Sequence, residues 1–289
     1  MSRYSDTRAE KLELDALGGE DKIARALAVL RHSRDLDLTR HAIGILGAAE
    51  SPELRDDLVA KYEWCEAQAH RRDGGGYIRA AIIRALRPIG QPADTSLLLR
   101  SMQTYEMDGP FEVCGDLRAA ALWSMNDIDP AIAANMAARF IHDPQFTFSG
   151  EPANTAITLL ASHSNLAPIF GAVSWGALRS DSLAEGLRNL VDLPTELLPI
   201  LVERYITSED EQVILGLFDL LLGHATRDLW AETIEHWFRT TTVMDLYGIV
   251  AIQIVGSRSE ALITMLRNLR ENEMDRLRIG LLDQALELA

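Results

Sequence analysis

Cysteine is scarce in this chain. Only Cys65 and Cys114 occur in 289 residues, far apart and in no metal-type spacing. That argues against a disulfide-stapled secreted domain and fits a reducing compartment. Long apolar runs are missing too. The most apolar tract, Val243 to Val255, is broken by Asp245 and Gln253 and is too short to span a bilayer. The opening MSRYSDTRAEKLELDALGG has neither an apolar signal region nor Arg-rich transit character. The expectation is a cytoplasmic protein without a membrane partner. Catalytic signatures are lacking as well. Seven histidines form no His-Glu-x-x-His, no serine sits in Gly-x-Ser-x-Gly, and no Lys-Ser/Thr follows the glycine run at 74–76. The neighbours His142-Asp143 and Glu235-His236 cannot face one helical site. No catalytic residue, metal or cofactor is therefore expected. Positive charge is outnumbered, 28 Lys and Arg against 43 Asp and Glu, for a net charge of −15. Such a surface repels phosphate backbones, so no nucleic-acid partner is expected. It suits a basic protein partner through steering of the encounter, and it also keeps the chain soluble.

What is present is a repeat. Ala42, Ala81, Ala120, Ala156, Gly186, Gly216, Gly248 and Gly280 sit at one place in eight helix-like stretches, each followed directly by an apolar residue. Their spacings are 39, 39, 36, 30, 30, 32 and 32 residues. A drifting period of this size marks a helical repeat array, whose stacked units bury one continuous core. TRHAIGILG, IRAAIIRAL and LRAAALWSM align without gaps, and Arg40, Arg79 and Arg118 recur at intervals of 39. Pro52, Pro92 and Pro130 follow the small residue by 10 or 11 positions, where proline can open a second helix. Second helices are predicted at 52–71, 92–106, 130–142, 166–179, 194–206, 226–240 and 258–271. Helices at 6–17 and 21–32 precede the repeats, so residues 1–37 read as a helical cap continuous with repeats over 38–289. Small residues mid-helix predict close approach of a neighbouring backbone, because Gly costs about 1 kcal/mol of helix propensity against Ala.

The Arg-x-Ala-[IA] core of LTRHAIGIL, YIRAAIIRALRPIG and LRAAALWSM, with proline near each turn, resembles the HEAT family of helical repeats. The resemblance covers roughly 38–287, is clear in three repeats and degenerates after residue 150. It implies an all-α fold, a right-handed α-α superhelix of about eight antiparallel helix pairs. It also implies a concave face, lined by second helices, that binds another macromolecule. The paired His-Glu motifs of HEAT-like di-iron hydroxylases are absent.

Contact residues are sought on helix faces and loops. At 100° per residue, Leu54, Leu58, Tyr62, Cys65 and Ala69 form the apolar face of the helix at 52–71. Trp64 lies to one side near Asp57, Asp56 and Glu63 point outward, and Glu66 lies on the other flank. An aromatic beside exposed carboxylates has the composition of an interaction hot spot, although Trp64 could equally pack against the next repeat. RRDGGGY at 71–77 reads as a flexible turn. MDGPFEVCGD and HDPQFTFSGEP exceed what helix–helix turns require. Their Phe111, Phe146 and Phe148 either tuck over the core or form a contact edge. Trp230, Ile234 and Trp237 share one helix face and read as core. The functional expectation is a non-enzymatic scaffold or inhibitor binding a basic protein. The alternatives are a bilin-lyase-like or chaperone-like protein, and a HEAT-like DNA glycosylase that the net charge disfavours.

Overall fold

The computed structural model describes residues 3–143, 149–176 and 178–289. Among them the chain is all-helical, apart from one hairpin pairing Met107–Asp108 with Phe111–Glu112. Its contacts form two compact units, residues 1–159 and 160–289. The division falls where the repeat spacing drops from 36 to 30 residues.

The first unit holds α1 (Arg3–Ala16), α2 (Gly19–His32), α3 (Leu36–Ala48), α4 (Arg55–Glu66), the single-turn α5 (Ala69–Arg72), α6 (Tyr77–Leu86), α7 (Thr95–Met102), α8 (Gly115–Ile128) and α9 (Pro130–Phe140). The division falls within α10 (Ala153–Ser162). The second unit continues with α11 (Leu166–Trp175), α12 (Ser180–Arg188), α13 (Leu198–Tyr205), α14 (Glu211–Gly223), α15 (Ala231–Thr240), α16 (Met244–Gly256), α17 (Glu260–Asn272) and α18 (Arg276–Leu286). Within each unit, first helices of successive pairs pack side by side: α3, α6 and α8 in one, α12, α14, α16 and α18 in the other. Second helices pack behind them, as α4 does on α6 and α17 on α18.

Local chemistry sets the helix ends. Pro52 and Pro92 open short 3₁₀ turns leading into α4 and α7, and Pro130 opens α9 directly, where the missing amide costs nothing. Asp35, Asp129, Asp210, Ser259 and Asp275 accept backbone N–H bonds at the starts of α3, α9, α14, α17 and α18. The helix expected at 52–71 stops at Glu66, and a kink precedes α5. The helix expected to reach 106 stops at Met102, before the hairpin.

Burial sharpens the repeat phase. Buried positions 78, 79, 82, 83 and 86 of α6 correspond to 117, 118, 121, 122 and 125 of α8, a step of 39. In α3 the same pattern is 38, 39, 42, 43 and 46, a step of 40. Thr39, not Arg40, thus holds the place of Arg79 and Arg118. Arg40 turns outward onto the Tyr77 ring, 5.9 Å from its centroid. In α16 the phase shifts by one residue as well, so Tyr247 and Val250 are buried and Ile249 is 43% exposed. The packing argument for the glycines is met unevenly. A Cβ on Gly216 would lie 2.7–2.8 Å from the Ala184 backbone, whereas one on Gly280 would meet nothing within 4 Å.

The buried arginines explain the Arg-x-Ala signature. Arg79 donates to Asp73 at 2.9 Å and to Glu106 at 2.5 Å. The same Asp73 accepts the amides of Ile78 and Arg79, fixing the start of α6. Arg118 donates to Glu112 at 2.6 Å and to the Thr104 carbonyl at 2.9 Å, and lies 3.3 Å from Asp143. Its guanidinium stacks 4.1 Å from the Tyr105 ring centroid. The chain places each arginine six residues after its own carboxylate, across the turn. RRDGGGY, expected as a flexible turn, is packed at Asp73, Gly75 and Gly76. Gly75 and Gly76 are buried with φ of 79° and 71°, a backbone region that favours glycine. The Gly75 amide donates to Glu106 and is not free to cradle a phosphate.

Candidate functional site

The candidate contact residues are sought on the outward face and both flanks of α4 and on two loops, and the structure sorts them. Asp57 is clamped by Arg31 of α2 through two 2.7 Å bonds, and this pairing holds its carboxyl below the usual carboxylate range. Glu66 is held by Arg100 of α7 at 3.3 Å. Asp56 is 98% exposed and reaches only its neighbour Arg55. Glu63 is exposed. Two of the four carboxylates are thus neutralised within the fold, which removes much of the acidic face expected there. Phe111 lies on the hairpin, away from α4, and is 38% exposed. Phe146 and Phe148 lie outside the described residues.

Trp64 is the side chain around which other groups gather. It is 42% exposed. Lys61 Nζ lies 4.5 Å and the Arg72 guanidinium 4.3 Å from its ring centroid, within cation–π range. Arg72 also donates to the Trp64 carbonyl at 2.5 Å. The kink after Glu66 makes this possible, because it swings α5 back so that Arg72 reaches the last turn of α4. A cleft of about 480 Å³ opens beside Trp64, within the size range of small-ligand sites. Arg34, Lys61, Arg71 and Arg72 line it with Ser33 and Thr39, over an apolar floor that includes Leu36, Cys65 and Ile78.

Lys61 is the unusual member. It is only 9% exposed, yet besides the Trp64 ring its ammonium meets only the Ser33 carbonyl, at 3.5 Å. Burial pushes its pKa below the ordinary lysine value, because a low-dielectric site disfavours the charged form. No carboxylate forms an ion pair with Lys61, Arg34, Arg71 or Arg72 among the described residues. In a chain of net charge −15, four such cations around one cleft are a local inversion of charge.

Other chemistry-bearing groups are built into the fold. Burial pushes the Cys65 thiol up to about 11 and the Cys114 thiol up to about 12, which suppresses the reactive thiolate. His224 uses both ring nitrogens. Nδ1 accepts the Thr226 amide at 3.0 Å, so Nε2 carries the proton and donates to the Leu193 carbonyl at 2.8 Å. Among the described residues no three His, Cys, Asp or Glu side chains are placed to hold a metal ion, and no helix is long and apolar enough to cross a membrane.

Sequence reasoning missed Lys61, Arg34 and the role of Arg71 and Arg72. The Arg71-Arg72 pair was visible beside the glycines, but nothing local shows that Lys61 is buried or that Arg31 and Arg100 take up the neighbouring carboxylates. No family model, no curated protein and no solved structure matches this chain.

Proposed function

We propose that this chain is a non-enzymatic binding protein that docks another protein on the Trp64 face of its first unit. One observation carries the reading: an exposed tryptophan, held in place by two cations, sits at the mouth of a cleft on a rigid pair of helices. Tryptophan and arginine in a preformed cleft make the composition expected of an interface hot spot. The side-by-side helix pairs, with an Arg-x-Ala core in the first unit, are what favours a HEAT-like right-handed stacking. Two free, buried cysteines suit a reducing compartment such as the cytoplasm. The net acidity steers basic regions of a partner towards the protein. The element that enters the Trp64 face itself is acidic, because Asp57 and Glu66 are already paired and the cleft is cationic.

Affinity capture with the full chain and with Trp64→Ala, at low and high salt, tests this reading. A stoichiometric partner held by the wild type and lost on Trp64→Ala is the expected result. Equal retention by both proteins would overturn the surface assignment, and no partner at either salt would overturn the binding role.

A further inference from the structure

The cleft beside Trp64 has a cause within the repeat. In the second and third repeats the place after the turn is filled by a buried arginine and two carboxylates: Arg79 with Asp73 and Glu106, Arg118 with Glu112 and Asp143. In the first repeat the arginine place is Thr39, and Ser33 stands six residues before it, where Asp73 and Glu112 stand later. Thr39 and Ser33 turn back on their own backbone. The Thr39 hydroxyl donates to the Asp35 carbonyl at 2.7 Å, and the Ser33 hydroxyl accepts the Asp35 amide at 3.1 Å. These short side chains leave open the space that an ionic cluster occupies elsewhere, and both line the cleft.

The charge that remains is one-sided. The later junctions each set two negative groups against their arginine. The first junction keeps Lys61, Arg34, Arg71 and Arg72 and supplies no carboxylate to them. Holding a partly desolvated ammonium beside three more cations without a counter-ion is costly, and an anion from outside would reduce that cost. A second cleft, on the other side of α3, carries Lys11, Arg40 and Arg84, but it also holds Asp37 and a His41–Asp15 pair at 2.9 Å. It therefore has a carboxylate in its own wall, and the Trp64 cleft has none.

We propose that the Trp64 cleft binds a phosphate monoester, whose phosphoryl group supplies the negative charge that Asp73 and Glu106 supply in the second repeat; in the first, Ser33 stands at the place of Asp73, and Glu66, at the place of Glu106, is turned to Arg100. A phosphoryl group brings close to two negative charges and three acceptor oxygens in one compact unit. Arginine forks and a lysine ammonium are the donors that match it. The apolar floor accepts the organic part of the ester. The site stands on the cleft geometry, and only its biological setting rests on the protein-binding reading. The phosphoryl group could come from a free small molecule or from a phosphorylated side chain of the partner.

Calorimetric titration of the full chain with phenyl phosphate, a phosphoserine peptide and benzoate tests the proposal. One-to-one saturation by a phosphate probe is expected, with benzoate at least tenfold weaker. Lys61→Met and Arg72→Gln, each confirmed as folded by circular dichroism, should weaken it at least tenfold. A peptide bound tenfold tighter than the ester would assign the group to a protein partner, and the reverse order to a small molecule. Lys61 is one of three lysines, with Lys11 and Lys22, so amine acylation read by mass spectrometry locates the ligand. Phosphate should slow modification of Lys61 alone. Absence of saturation by both phosphate probes, benzoate binding as tight as phenyl phosphate, unchanged affinity in folded Lys61→Met, or protection spread over all three lysines would overturn the proposal. Phosphate binding without any captured protein would sink only the protein-binding reading.

Discussion

The two units solve the same packing problem with different chemistry. At the place where the first unit buries Arg79 and Arg118, the second unit buries Ile214 and Tyr247. The second unit then builds outward through rings. Phe218 meets Trp237 at 4.7 Å, Trp237 meets Phe238 at 5.2 Å, and Phe238 meets Tyr247 at 4.7 Å, all edge-on. Arginine returns only near the chain's end. Arg278 donates to the Phe238 and Thr241 carbonyls and lies 5.4 Å from the Tyr247 ring centroid. An apolar core loses packing in proportion to the volume removed and strands no charge. An ionic core is all-or-none, since removing one partner strands another buried charge. That contrast accounts for the open cleft at the incomplete ionic junction, the one at Thr39.

The largest effect should come from Arg118→Ala, which leaves Glu112 and Asp143 buried without their cation. A loss of about 3–5 kcal/mol in urea unfolding is expected. Phe238→Ala in the second unit should cost a similar amount, about 3–5 kcal/mol, by leaving a cavity. The two differ in their remedy. Replacing Arg118, Glu112 and Asp143 together by apolar residues of similar volume should restore most of the loss, whereas no change of charge will rescue Phe238→Ala. A loss below about 1 kcal/mol for Arg118→Ala would show that the ionic junctions do not hold the first unit together.

Backbone approach provides a smaller contrast. Gly216→Ala forces a methyl against the Ala184 backbone and should destabilise by about 1–3 kcal/mol. Gly44→Ala in α3 meets open space and should stabilise by about 0.4–1 kcal/mol. Equal thermal shifts for the two variants would remove the packing distinction.

The helix caps should behave alike in both units. The Leu38 amide and the Thr7 hydroxyl hold the Asp35 carboxyl below its ordinary value, and the Ser180 hydroxyl with the Val213 and Gln212 amides does the same for Asp210. A carboxyl lowered on folding contributes its full stability above the unfolded value, near 4, and loses it as pH falls through the lower folded value. Asp35→Ala and Asp210→Ala should each cost about 1 kcal/mol at neutral pH, and each gap to the wild type should close in acid. A gap that persists in acid would assign the loss to packing.

The helix scaffold was largely legible in the sequence because its signals are local. Proline marks the start of a second helix wherever its missing amide is harmless, and small residues recur with each first helix. The cleft was less legible because its origin is a slip of one residue. A gapless alignment pairs Arg40 with Arg79, and only burial shows that Thr39 takes the arginine's place. Trp64 was found from the angular position of its side chain on α4. The pairing of Asp57 and Glu66 was not legible because their partners, Arg31 and Arg100, stand 26 and 34 residues away.

The arginine junctions also have a mechanical side. Arg79 ties the turn before α6 to the segment after α7, and Arg118 ties the segment after α7 to the turn before α8. Each acts as a brace across a joint that would otherwise flex. Thr39 makes no such brace at the joint beside Trp64. A ligand that bridges this joint would stiffen it, turning occupancy of the cleft into a change in how readily the first repeat swings.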